Sequence, residues 1–117
     1  FGAPLADFSQ PRNLIGGHML SDIVGVTTHL AWPHHMVWAS AIAVSSAIVA
    51  MHLTRTLHPP GGASALIAVI GSEPIKSLGY WYVLSPVLTG AVILLLMALI
   101  VNNFSSNPRR HYPVYWF

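Results

Sequence analysis

Apolar residues run through this chain in long blocks broken by short polar clusters. Val83 to Val101 reads VLSPVLTGAVILLLMALIV with no charged side chain, and Met36 to Leu57 reads MVWASAIAVSSAIVAMHLTRTL with its first charge at Arg55. Leu14 to Trp32 is a third block, separated from the second by Pro33. About 20 mainly apolar residues carry a helix across a hydrocarbon core of ~30 Å. The pattern therefore predicts helix 1 over 14–32, helix 2 over 36–57 and helix 4 over 79–102, followed by an interfacial tail over 103–117. The short gap Pro33 to His35 makes helices 1 and 2 an antiparallel hairpin. Ala39, Ala43 and Ala47 recur every four residues, with Ser46 and Ala50 adjoining, a spacing that lets membrane helices pack closely. Pro86 predicts a kink near the start of helix 4, and Tyr80, Trp81 and Tyr82 read as an interfacial aromatic belt.

The segment PPGGASALIAVIGS, residues 59–72, has a shorter apolar core, and we expect helix 3 over 60–72. Twelve helical residues cover only about 18 Å. Such a helix is either a short span with sunken ends or a re-entrant element. Charge placement bears on the choice. If it spans, Arg12, Arg55, Arg109 and Arg110 share one side and Lys76 stands alone opposite; if it is re-entrant, the split is three to two. Positive charge collects on the cytoplasmic side, which favours four spans with both ends inside.

Composition narrows the class. Only 7% of the 117 residues are charged and 54% are hydrophobic, against about 25% charged in ordinary soluble domains. So few charges cannot coat a soluble domain, which rules out most soluble enzymes, disordered tails and nucleic-acid modules. The expected fold is a single all-α polytopic membrane domain over 1–117 with about four transmembrane helices, its partner the lipid bilayer and no nucleic acid. With no cysteine, disulfides, thiolate metal sites and cysteine nucleophiles are excluded. The chain opens on Phe1 rather than methionine, which predicts a piece of something longer.

The densest polar cluster runs from Thr54 to Ser64 and reads as an anion cup. Pro59 and Pro60 suit a helix start. Gly61 and Gly62 permit close backbone approach, and the N–H groups that follow carry the positive end of the helix dipole. Arg55 adds a permanent charge with fork geometry, His58 a hydrogen bond or a proton, and Ser64 a hydroxyl. The alternative is a tight turn, with Arg55 on lipid phosphates. Arg12-Asn13-Leu-Ile-Gly16-Gly17 echoes Arg55-Thr-Leu-His-Pro-Pro-Gly61-Gly62, so Arg12 and Asn13 join the candidate anion contacts. Helices 1 and 3 would then start on the same side as parallel repeats.

His18 and Asp22, four residues apart, share a helix face. A carboxylate near mid-membrane is costly and usually faces a pathway. The pair reads as a proton relay, or else as Asp22 tucked against Ser45 or Ser46. Seven histidines raise a haem or metal redox subunit using His18 and His52, but no ligand spacing supports it, and no metal or cofactor is expected. Without a nucleotide loop, nucleophile elbow or zinc-protease motif, no enzyme is expected either. The tail, with Arg109, Arg110 and its aromatic residues, reads as an interfacial anchor or a gate over the inside face. A third class, a structural or sensory membrane domain without transport, predicts polar groups packed shut.

These residues resemble the HPP family of integral membrane proteins, named for the tripeptide His58-Pro59-Pro60. The similarity also takes in Gln10-Pro11-Arg12-Asn13, Gly16-Gly17-His18, Thr54-Arg55-Thr56-Leu57, Gly62-Ala63 with Ala65-Leu66, Asn102-Asn103, and Arg109-Arg110 through Tyr112-Pro113-Val114-Tyr115-Trp116. It extends over nearly the whole chain. The resemblance implies four transmembrane helices and transport of a small inorganic anion, with nitrite the leading substrate. It also implies a bacterial inner membrane or a plastid membrane as the location. Asp22 departs from the family's pattern, where a small residue is expected. Four short helices enclose little volume, so transport is expected to need a homo-oligomer or a further helix.

Overall fold

A computed structural model describes residues 2–117. The described residues are helical and turn, with no strand among them. Helix α1 is Pro11–Ala31, α2 Met36–Leu53, α3 Pro59–Ile70, α4 the single turn Glu73–Lys76 and α5 Thr89–Asn103. The molecule measures 52 × 27 × 19 Å along its principal axes.

Among the described residues two helical stretches are both long and apolar enough to cross a membrane: Met36–Leu53, and Val83–Asn103 taken across its kink. That is fewer than the four expected. Helix α1 has the length, 21 residues, or about 31 Å, but Asp22, His18, His29 and its hydroxyl residues dilute its apolar character. Helix α3 is apolar but has only 12 residues.

Helix boundaries follow local chemistry. Pro11 opens α1 and Pro59 opens α3, each where a missing N–H costs nothing. Helix α2 stops at Leu53, four residues before the expected end. Thr56 N donates to Met51 O at 2.9 Å and Arg55 N to His52 O at 3.2 Å, with Arg55 itself left-handed at φ 55°. This is the crossed pair of bonds that ends many helices, with arginine where glycine is usual. The last long helix is not continuous over 79–102. Tyr82 leads into a wide turn over Val83–Leu88 in which Ser85 is extended (φ −143°, ψ 119°) before Pro86. The kink expected at Pro86 is therefore a break.

Helices α1 and α3 are parallel. Ascending pairs set their register: Gly16 lies beside Thr56, Gly17 beside His58 and Gly25 beside Ala65. Helix α2 runs back against both, burying Ala39, Ala43 and Ala47 completely; Ala39 and Ala43 pack on Val69. Of the two adjoining residues, Ser46 is exposed and Ala50 is half-buried. Val26, Ala68 and Tyr82 form a second core, flanked by Ile75 and Val87. That core ties the approach to α5 onto the α1–α3 pair.

The tail folds back across the N-terminal segment. Tyr112 is buried and donates its phenol proton to Ser9 O at 2.7 Å. Val114 N donates to Gln10 Oε1 at 2.9 Å, and Tyr115 Oη donates to Asp7 Oδ1 at 3.1 Å. Gln10 in turn donates to Pro4 O and Ala6 O at 2.9 and 3.0 Å. Chain ends more than 100 residues apart are thus locked together at the start of α1.

Candidate functional site

The glycine pairs bring helices together instead of opening a cup. A Cβ on Gly17 would sit 2.5 Å from His58 Cβ, and one on Gly61 would sit 2.7 Å from Ser21 Oγ and 3.0 Å from Gly17 O. Pro59 and Pro60 bring no N–H, and the Gly61 N–H is taken by His58 O at 2.8 Å. Gly61 and Gly62 are buried. The expected anion cup is therefore closed at its centre. Close helix contact consumed the backbone that was to bind the ion.

The arginines lie outside. Arg12 is exposed and donates to Thr54 O at 3.1 Å, holding the end of α2. Asn13 is buried and donates to Leu57 O at 2.9 Å. Arg55 is exposed on its left-handed turn. Arg12 and Asn13 pin the α2–α3 connection to α1, which explains why polar residues stand there.

What the fold does assemble is a row of polar side chains between α1 and α3. The rings of His18 and His58 lie 4.9 Å apart, tilted by 59°. The Phe8 carbonyl only accepts, so His58 donates Nδ1–H to it at 2.7 Å and keeps a lone pair on Nε2. Ser64 Oγ donates to Gly61 O at 3.0 Å and, having one proton, accepts from His18 Nδ1 at 3.1 Å. His18 therefore also carries its lone pair on Nε2. Tyr82 Oη donates to Ser64 O at 3.0 Å.

Beneath the row lies Asp22, 0% exposed, neither carboxyl oxygen with a hydrogen-bond partner. Its polar neighbours are Ser64 and Tyr82, whose hydroxyls are committed elsewhere. The expected contact with Ser45 or Ser46 is not made, since both are exposed on α2.

Two clefts meet at this row. One, of about 250 Å³, is lined by Phe8, Ser9, Leu14, His18 and His58, with Pro59, Pro60 and Leu94 at its edge. The other, of about 310 Å³, runs past Ser64, Tyr82, Pro86 and Ile75. His18 and Leu94 line both. Tyr82 and Ile75 also border a small recess that ends at Lys76 and His29. Neither larger cleft has a permanently charged residue in its lining.

Several of these residues are invisible to sequence reasoning. Tyr82 reads as part of an aromatic belt, yet it is 3% exposed and hydrogen-bonded inside, while Tyr80 and Trp81 face outward. Phe8, Ser9 and Leu94 carry no motif. The His18–His52 pairing of the haem reading is not formed: His18 faces His58, and His52 is exposed with Nδ1 at 3.0 Å from Ile48 O. Among the described residues no group of three or more His, Asp or Glu is placed to hold a metal ion.

Apolar helices packed around a buried polar row, with a lipid-like exterior, define a helical membrane domain. The chain belongs to the HPP family: the description of its transmembrane region matches residues 1–113. Two proteins of Dictyostelium discoideum described as transmembrane proteins are each 47% identical to it over 120 residues. The alignments take in 100% of this chain but 41% and 38% of those relatives, so the chain spans about two fifths of their length. No solved structure matches it.

Proposed function

We propose that this domain conducts a small inorganic anion across the membrane, with nitrite the leading substrate, and that it is a transport module without catalysis. The observation that carries the reading is the succession of clefts along one seam. They share His18 and Leu94, then Ile75 and Tyr82, and lead from the Phe8 end of α1 to the Lys76 end of α3. All four apolar stretches cross the membrane in this reading. Helices α1 and α3 supply the polar wall, and the kinked helix of Val83–Asn103 supplies the apolar one. Arg12 and Arg55 draw the anion to the mouth from solution, while His18, His58 and Ser64 receive it. The clefts open sideways, since Ile67, Pro86 and Leu94 in their lining are themselves exposed. A second copy of the chain is the wall we assign to close the groove against lipid.

Uptake into proteoliposomes tests the reading, comparing nitrite with nitrate, formate, bicarbonate and chloride. Protein-dependent nitrite flux that falls at least tenfold in His58→Ala supports it. Flux no higher than in empty vesicles for every anion of the panel refutes it.

A further inference from the structure

We propose that the row His58–His18–Ser64–Asp22 carries a proton with each anion, so that the domain is an anion–proton symporter and not an open anion channel. This rests on the anion reading of the same clefts. In the lining of the two larger clefts, among the described residues, the groups able to present a positive charge to an anion are the two imidazoles, since Arg12 and Arg55 are exposed and line neither. Both rings hold Nδ1–H in a hydrogen bond and leave Nε2 with a bare lone pair. A bare Nε2 repels an anion. Once protonated, it becomes a charged donor of the kind that binds oxyanions well. Anion and proton therefore arrive together or not at all.

Asp22 is a fully buried carboxyl without a hydrogen-bond partner, of a kind that serves pathways when found at membrane depth. The transfer balances. A proton binds His18 Nε2 and the ring releases Nδ1–H to Ser64 Oγ. The Ser64 hydroxyl, rotated away from Gly61 O, passes its own proton to the Asp22 carboxylate. His18 is left neutral with its proton on Nε2, and Asp22 is left neutral behind Ser64 and Tyr82, which line the second cleft.

Of the elements packed on this row, α3 presents His58 and Ser64, and the segment before α5 presents Tyr82. Helix α2 presents Met51 beside Gly17 and keeps His52 outside. Helix α5 presents Leu94 and Ala91, and the N-terminal segment presents the Phe8 carbonyl. Among the described residues the row thus holds no cation that would neutralise Asp22 in place of a proton.

The experiment measures labelled nitrite uptake into proteoliposomes whose membrane potential is clamped with potassium and valinomycin, with empty vesicles subtracting the leak of undissociated nitrous acid. In the native protein an inward proton gradient should drive accumulation, and the clamped potential should leave it unchanged. In Asp22→Asn and His18→Gln, gradient-driven accumulation should fall at least tenfold, with Asp22→Glu restoring part of it. Native flux that follows the potential and ignores the proton gradient overturns the proposal, as does full gradient-driven accumulation in Asp22→Asn. A second readout is independent of nitrite. Infrared difference spectra across a pH step should show the carbonyl stretch of a protonated carboxylic acid, absent in Asp22→Asn and shifted in Asp22→Glu. No such band overturns the proton path. If nitrite flux is missing but the band is present and lost in Asp22→Asn, the anion reading fails while the proton path stands.

Discussion

Replacing Gly25 by alanine tests the contact that holds the polar row together. A Cβ at Gly25 would lie 2.6 Å from Ala65 O and 2.8 Å from Ala65 Cα, and both atoms are backbone of α3, which cannot rotate aside. Reaching an ordinary contact near 3.4 Å requires α1 and α3 to part by about 0.8 Å. Ser64 precedes Ala65, so the same displacement stretches the 3.1 Å bond between His18 Nδ1 and Ser64 Oγ to about 3.9 Å, beyond hydrogen-bond range. Forcing a methyl into a packed interface costs about 1–3 kcal/mol, and a backbone clash this close puts Gly25 at the upper end, above the ~1 kcal/mol of helix propensity that alanine returns. For a domain near this size that is a fall in melting temperature on the order of 10 °C. Gly90, whose Cβ would meet nothing within 4 Å, is the matched control; alanine there gains up to ~1 kcal/mol of helix propensity. Thermal unfolding of the purified protein in detergent should show Gly25→Ala melting well below the native chain and Gly90→Ala at or above it. Equal melting of Gly25→Ala and the native protein would refute the α1–α3 packing described here.

Arg55→Gly should raise stability by up to ~1 kcal/mol in the same melt, since arginine occupies a left-handed position that glycine adopts freely. Arg12→Ala should lower it by about 1 kcal/mol through loss of the bond to Thr54 O. Tyr112→Phe should free the tail, at a cost near 1 kcal/mol for the bond to Ser9 O, and limited proteolysis should then cut after Asn103 sooner. Burial pushes the Tyr112 phenol above its ordinary range, so docking of the tail is fully present below the unfolded value of about 10 and is lost as pH rises past the folded one. Proteolysis against pH should show that loss, and Tyr112→Phe should weaken the dependence, leaving the part owed to Tyr115 on Asp7.

Much of the architecture was legible in the order of residues. Charge-free blocks gave the helical stretches, Pro86 the place of a distortion though not its depth, and the repeated Arg…Gly-Gly element the parallel start of α1 and α3. The alanine stripe predicted the tight α2 face because small residues at four-residue spacing have few other uses in a membrane. Rotation of each helix about its axis was not legible. Helices α2 and α5 are apolar all round, so their sequence does not say which side faces lipid. Ser46 therefore looked inward and lies outside. The Gly61–Gly62 pair illustrates the harder ambiguity: glycine serves close backbone approach to an ion and to a helix equally well, and only the neighbour at Gly17 decides between them. His18 and His58, forty residues apart, meet because that glycine contact closes. Tyr82 is drawn inside by Ser64 O, a partner with no local signature. Of the candidate site, the histidines, Ser64 and Asp22 come together, while Arg12, Asn13 and Arg55 brace the α2–α3 turn.

In the proposed function the ion passes along this chain's own clefts. Leu94 stands where the two larger clefts meet, and it is 48% exposed on α5, so a larger side chain there fills the passage without entering the core. The most direct measurement is nitrite flux through Leu94→Trp, with Leu94→Ala alongside, both checked for a native melting temperature. Flux should fall at least tenfold in Leu94→Trp and be retained in Leu94→Ala. Native flux through Leu94→Trp would place the route elsewhere and contradict the proposed function.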